Sequence, residues 1–202
     1  MNTSIRKATP PDIPRLVELH SSVFNTNTNY LLLLGRGFLR HYFQWCCTAS
    51  DAFVFVAEGE SGIAGYVAVN QGSYYRAFRA NWHHALLGFL KHPTVILHPS
   101  FGRRFRALLR ARAEPADKPT LRACVSYIAL DPAMNVRGIG PVLMKAALDE
   151  CRSRGWYEVV TAIHASNVRA RSLGVIMGFE SYTEADADGL ASLRINLDPK
   201  PQ

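Results

Sequence analysis

The strongest constraint on what this chain can become lies in residues 121–197, where strand-like and helix-like runs alternate. Residues 121–130 read as a strand, 131–140 as a glycine-containing loop and 141–154 as a helix. Residues 157–164 read as a second strand, 167–177 as a second helix, and 178–184 and 190–197 as closing strands. A strand that reaches the next one through a loop and a helix lies parallel to it. The predicted architecture is an α/β unit with a parallel pair inside a mixed sheet.

The N-terminal half adds further strands and helices. Residues 4–8 read as a short strand. Thr9 suits a helix cap, Pro10 and Pro11 suit a first turn, and Ile13, Leu16, Val17, Leu19 and His20 follow at helical spacing. Residues 30–47 predict one or two helices interrupted near Gly35 and Gly37. Two β-like runs, 53–58 and 63–70, are joined by Gly59-Glu60-Ser61-Gly62, a good hairpin connection. With 202 residues, 48% of them hydrophobic, the chain is long enough for one domain with a sizeable core and short for two. No run approaches the roughly 18–20 apolar residues of a membrane-spanning helix. Residues 1–7 lack the apolar segment of a signal peptide, so the expectation is a soluble, cytoplasmic chain. Cys46, Cys47, Cys124 and Cys151 form no Cys-x-x-Cys pair and read as reduced thiols.

The loop Asn135-Val136-Arg137-Gly138-Ile139-Gly140 stands between a predicted strand and a predicted helix. Two glycines one residue apart let backbone amides approach an anion, and the helix behind them adds its unpaired N–H groups and positive dipole end. Arg137 adds a full charge, and Pro141 fixes the first helical turn without losing a paired N–H. The chemistry suits a pyrophosphate, although such glycines also simply close strand-to-helix turns. The loop lacks the Lys-Ser/Thr end of a Walker-type loop, and Leu143 replaces the third glycine of the dinucleotide fingerprint.

In their order, several stretches resemble the GNAT family of acetyl-coenzyme A-dependent N-acetyltransferases. Leu130-Asp131-Pro132 followed by Asn135-x-x-Gly138-x-Gly140 looks like the family's strand end and pyrophosphate loop. Asn167-x-x-Ala170, ending in Gly178-Phe179, looks like its second signature, and Ile5-Arg6-Lys7-Ala8-Thr9 with Asp12-Ile13 is similar to its first strand and helix. The resemblance implies a mixed central β-sheet with flanking helices, and it leaves out residues 73–120, a helical insertion between the third and fourth strands of a single domain spanning 1–202. It also implies acetyl-coenzyme A as co-substrate and a primary amine as acceptor. The strand ending at Ala129-Leu130 would splay from the one ending at Ile163-His164 and admit the pantetheine arm. Asn135, Val136, Arg137, Gly138, Ile139, Gly140 and Pro141 would hold the pyrophosphate, with Asn167 and Ala170 beside the arm. Asn167 equally suits the cap of the helix that begins there.

Two departures from the family pattern stand out. Asn135 replaces the usual Gln or Arg. Gly174 stands seven residues after Asn167, where the family often carries a tyrosine that protonates the departing thiolate. Candidate replacements are Tyr127, three residues before Leu130, and His164, at the end of the other strand, whose imidazole suits deprotonation of an ammonium acceptor. Each also has a plain structural reading, Tyr127 as a core aromatic and His164 as a surface residue. His83-His84, His92 and His98 match no metal-site spacing and lack accompanying acids, so no metal is expected.

The formal net charge of +7 comes from one segment. From Ser61 to Ala113 there is no Asp or Glu but eight Lys or Arg, leaving 15 of the 23 basic residues against all 16 acids elsewhere. Tyr75, Phe78, Trp82, Leu86, Phe89 and Leu90 recur at helical steps there, Pro93 and Pro99 break the pattern, and Ser100 suits the cap of a second helix. Three readings fit: a lid for an anionic acceptor such as a phosphorylated or nucleotide-linked amino sugar, contact of residues 73–113 with an anionic membrane surface, or a homodimer arm. Nucleic acid is not expected, since no binding module accompanies the charge. The expected function is acetyl transfer to a primary amine by direct attack. The rival is a catalytically weak acyl-coenzyme A-binding or membrane-associated regulatory module.

Overall fold

A computed structural model describes residues 3–25, 29–72, 76, 80–93, 102, 122–134, 138–186 and 189–197. The chain runs β1 (Ser4–Lys7), α1 (Ile13–Val23), α2 (Tyr30–Leu33), α3 (Gly35–Thr48), β2 (Ala52–Gly59), β3 (Gly62–Gln71), α4 (Trp82–Lys91) and β4 (Arg122–Leu130). It continues through α5 (Ile139–Ser153), β5 (Glu158–His164), α6 (Val168–Ile176), β6 (Glu180–Thr183) and β7 (Leu190–Asn196). Among the described residues the strands form one seven-stranded mixed sheet in the order β1-β2-β3-β4-β5-β7-β6. All neighbours are antiparallel except β4 and β5, the pair read from the sequence.

Local chemistry explains the boundaries. The Thr9 backbone N–H donates to the Asp12 carboxylate at 2.8 Å, closing a single 3-10 turn over Pro10–Asp12 that leads into α1. The break between α2 and α3 falls at Gly35, whose φ of +85° suits only a residue without a Cβ. Gly59 pairs with Gly62 across the tight β2–β3 hairpin, as the sequence indicates.

Two cores fill the two faces of the sheet. On one face, α1, α2 and α3 cover Val54, Val56, Tyr66 and Ala68; on the other, α5 covers Phe53, Val67, Val69 and Val125. Strand alternation assigns the faces in β2 and β3. In β4 it fails at one point. Val69 pairs with Val125 but Ala68 pairs with Tyr127, so Ser126 is an extra residue in a β-bulge. Ala123 and Val125 therefore face α5, whereas Tyr127 and Ala129 face α1 and α3.

Within the expected insertion, α4 packs on the α2–α3 pair. A Cβ on Gly88 would lie 3.0 Å from the Leu34 carbonyl oxygen, and the His84 ring stacks on that of His41 with centroids 3.3 Å apart. Tyr75, Phe78, the second helix expected from Ser100 and the stretch 113–120 lie outside the described residues. Among the described residues no helix is long and apolar enough to cross a membrane.

Candidate active site

The parallel pairing of β4 and β5 stops early. It covers Arg122–Val125 against Glu158–Thr161, and the Thr161 hydroxyl donates to the Val125 carbonyl at 3.0 Å at the last rung. Beyond it each strand keeps only its outer neighbour: Tyr127 to Leu130 pair with β3, and Ala162 to His164 pair with β7. The two inner edges part at the Ser126 bulge. Their backbone donors and acceptors face a gap rather than each other, and such groups need partners. A cleft of about 400 Å³ opens there, lined by Ser126, Tyr127, Ile128, Ala162, Ile163 and His164 among others.

The loop side fits an anion. Gly138 caps α5 with φ +80° and no atom within 4 Å of where its Cβ would be. Gly140 lies in the first turn, where a Cβ would stand in ordinary contact with Leu173 at 3.6 Å. The helix thus begins at Ile139, earlier than the proline suggests, with Pro141 inside its first turn. Ile139 is itself buried in the core. Asn135, Val136 and Arg137 lie outside the described residues. Asp131 anchors the start of the loop: its N–H donates to the Ala64 carbonyl, its carboxylate accepts from the Ala133 N–H, and Arg15 of α1 forms an ion pair with it.

Asn167 lies at the cleft and caps α6, its Oδ1 accepting the Ala170 N–H at 3.1 Å. The cap uses only Oδ1. A further role for its amide group toward a ligand is compatible with this geometry. Gly174, also at the cleft, is buried where α6 crosses β7, and a Cβ there would lie 2.7 Å from Leu193 Cδ1. A larger residue at this position requires the Leu193 side chain to shift.

His164 and Tyr127 stand on opposite walls of one cleft. The His164 ring accepts at Nδ1 from the Ser166 hydroxyl at 2.6 Å and the Ser166 N–H at 3.3 Å, which leaves the neutral ring's proton on Nε2. Nε2 lies against Gly189, where a Cβ would be only 2.9 Å away. Tyr127 is buried in an aromatic cluster with His20, Phe24 and Tyr42, and its hydroxyl donates to Asn29 Oδ1 at 3.4 Å.

Behind Tyr127 lies a buried polar chain that sequence reading does not reveal. Asn29 Oδ1 accepts the Leu31 N–H, so its amide nitrogen is the group that donates to His20 Nε2 at 2.7 Å. The imidazole proton then sits on Nδ1 and donates to the Tyr66 oxygen at 2.5 Å. Burial lowers the His20 pKa to about 4, so the ring is neutral near pH 7. In the sequence His20 merely completes an apolar helix face, and Asn29 ends a polar break; only the fold brings them together.

The thiols stay out of this chemistry. Burial pushes Cys46 well up, Cys47 to about 11 and Cys151 to about 12, and none of the cysteines lines the cleft. A protonated, buried thiol is a poor nucleophile. Among the described residues no group of His, Cys, Asp and Glu could hold a metal ion.

Solved structures share the fold. An N-acetyltransferase from Staphylococcus aureus Mu50 superposes with a TM-score of 0.66 at 16% identity, over 98% of this chain and 100% of its own. The PaiA N-acetyltransferase from Thermoplasma acidophilum, in complex with coenzyme A, gives 0.60 at 13%, over 97% and 99%. The ribosomal-protein-alanine N-acetyltransferase from Brucella melitensis gives 0.61 at 18%, over 96% and 99%. No curated protein matches the sequence. The model of the acetyltransferase (GNAT) family matches residues 21–179, most of the chain. The chain belongs to the acetyltransferase (GNAT) family.

Proposed function

We propose that this acetyltransferase acts on a small primary amine carrying an anionic group, such as a phosphorylated or nucleotide-linked amino sugar, in the cytoplasm. The observation that carries the site assignment is the parting of β4 from β5 beyond Val125 and Thr161, with Tyr127 on one wall and His164 on the other. The support for an anionic acceptor is the acid-free stretch from Ser61 to Ala113.

Acetyl-coenzyme A supplies the thioester. The free inner edges at Ser126–Leu130 and Ala162–His164 offer main-chain partners to its amide-bearing arm. Gly138, Gly140 and the N-terminus of α5 offer the pyrophosphate close backbone approach and a positive dipole end, with Asn135, Val136, Ile139 and Pro141 completing the loop and Arg137 adding charge. Asn167 and Ala170 flank the arm. The extra residue of the bulge, Ser126, stands out of the β3–β4 ladder, and its N–H suits polarisation of the acetyl carbonyl.

The acceptor must lose a proton before it attacks. His164 takes that proton at Nδ1 through the Ser166 hydroxyl, which already donates to it. Tyr127 donates a proton to the departing thiolate, the role that Gly174 cannot fill. No covalent enzyme intermediate forms, in keeping with a cleft that no cysteine lines.

Thiol release from acetyl-coenzyme A, measured across a panel of amines, tests this reading. Phosphorylated amino sugars are expected to exceed their neutral counterparts in kcat/KM, and Tyr127→Phe to lower kcat by about 10²-fold or more. Ser166→Ala and His164→Gln are expected to lower kcat by about 10²-fold. Equal rates with neutral sugars or peptides would remove the anionic acceptor, and an unchanged kcat in Tyr127→Phe would remove the acid.

A further inference from the structure

Helix α4 is built inside out. Its small residues Ala85 and Gly88 are buried, while Trp82, Leu86, Leu87 and Leu90 are 64%, 51%, 52% and 70% exposed. Trp82, Leu86 and Leu90 stand at i, i+4 and i+8, one above another, with Leu87 beside them. Phe89, part of the same apolar pattern, turns partly inward and packs against the core. A surface helix ordinarily puts its large apolar side chains inward. Here close packing explains the small ones: a Cβ on Gly88 would press on the Leu34 carbonyl oxygen and side chain at 3.0–3.3 Å. Nothing in that packing calls for four large apolar groups on the outer face.

The stripe's own helix and the two that support it carry one sign of charge. The supporting helices α2 and α3 come from a second acid-free stretch, since no Asp or Glu occurs from Leu19 to Ser50. Helix α4 lies within the first, from Ser61 to Ala113. Arg36 and Arg40 on α3 and Lys91 on α4 are exposed, and no acid of α2, α3 or α4 offsets them. The helical layer therefore combines a projecting Trp/Leu stripe with uncompensated positive charge. A protein partner with a matching apolar groove would bury the stripe but leave this charge unmatched unless it were itself acidic. An anionic lipid surface satisfies both features at once: leucines enter the acyl boundary, tryptophan sits at the headgroup level, and the arginines and lysine meet phosphates.

We propose that the outer face of α4, through Trp82, Leu86, Leu87 and Leu90, docks the enzyme peripherally on an anionic lipid bilayer. No described helix is long enough to cross it. The proposal shares the acid-free stretch from Ser61 to Ala113 with the acceptor reading above, but its carrying observation is the exposed stripe of α4, none of whose residues lines the cleft.

The test uses the full chain with phosphatidylcholine vesicles containing or lacking phosphatidylglycerol. Co-sedimentation is expected only with phosphatidylglycerol, falling as salt rises. Trp82 emission is expected to shift to the blue on binding. Trp45 and Trp156 are half-buried and buried, so subtracting the Trp82→Phe spectrum isolates it. Leu86→Glu/Leu90→Glu is expected to lower the partition coefficient by at least about tenfold, since each buried leucine contributes on that order. Acetyl-coenzyme A binding by titration calorimetry should remain unchanged, which shows the variant is folded. Absence of binding to phosphatidylglycerol vesicles, or equal binding by the double variant, would overturn the proposal. So would a Trp82 emission already blue without vesicles, the mark of a stripe covered by the chain's own residues 94–121. A halving of molar mass by light scattering in the variant would assign the stripe to a second copy instead.

Discussion

The buried imidazole of His20 makes the fold sensitive to acid in a window where few other groups act. The ring is fully buried and held neutral, accepting from Asn29 at Nε2 and donating to Tyr66 from Nδ1. Its pKa falls from 6.5 in an unfolded chain to about 4 in the folded one, because burial penalises the charged form. The depressed value means that the unfolded chain takes up the proton first. Stability is fully present above the unfolded pKa and is lost as pH falls toward the folded one. Between about pH 7 and about pH 5 the linkage relation gives a loss of about 2 kcal/mol, rising to about 3 kcal/mol below both values. The carboxylates Asp12, Glu58, Glu150 and Glu158 have lowered values, so their contributions fade only at lower pH. His41 and His84, also lowered, act in the same direction but are present in wild type and variant alike. Urea unfolding of wild type and His20→Gln at both pH values isolates the ring, since lost hydrogen bonds cancel when each protein is compared with itself. The expected result is a fall in wild type that exceeds that of His20→Gln by about 2 kcal/mol. Equal falls would refute the reasoning, as would a wild-type His20 ring titrating near 6.5 by NMR.

The glycines at the head of α5 should separate cleanly. Gly138→Ala forces a Cβ into a left-handed conformation and is expected to cost about 1 kcal/mol, whereas Gly140→Ala, with ordinary backbone and contact distances, should be neutral or slightly stabilising. Thermal unfolding decides it, and an equal effect of the two would refute the capping argument. Gly174→Tyr is expected to destabilise by about 1–3 kcal/mol through its clash with Leu193 and to leave kcat no higher than wild type. A stable variant with raised kcat would show that α6 has room for the missing tyrosine after all.

Much of this fold is legible in the chain because each element carries a local signal. Alternation marks β2 and β3, Gly35 marks the break between α2 and α3, and the strand-loop-helix-strand order marks the parallel pair. The Ser126 bulge carries no such signal. Residues 122–130 alternate regularly, so a period-2 reading puts Val125 and Tyr127 on one face; the pairing with β3 separates them. For the same reason the chain Tyr66-His20-Asn29-Tyr127 could not be read, since it joins α1 and the segment just before α2 to β3 and β4. Helix α4 shows a different gap. Its periodicity reveals a helix, but only the packing of Gly88 on Leu34 decides that the small residues face inward and the large ones outward.

The bulge also explains how one strand can serve two masters. Before Ser126, β4 pairs with β5 and turns Val125 into the core under α5. After it, the strand leaves β5 and turns Tyr127 toward α1 and α3. A regular strand would do neither: it would keep its pairing and leave Tyr127 beneath α5, away from Asn29. One inserted residue thus opens the gap and carries the phenol to the side where the C-terminus of α1 meets the cleft. On the proposed reading this is why the missing tyrosine of α6 is not missed. On the wall formed by α6, Gly174 offers no proton, and a Cβ there would press on the Leu193 methyl. On that reading the opposite wall supplies an anchored proton donor, and the distortion that parts β4 from β5 puts it there.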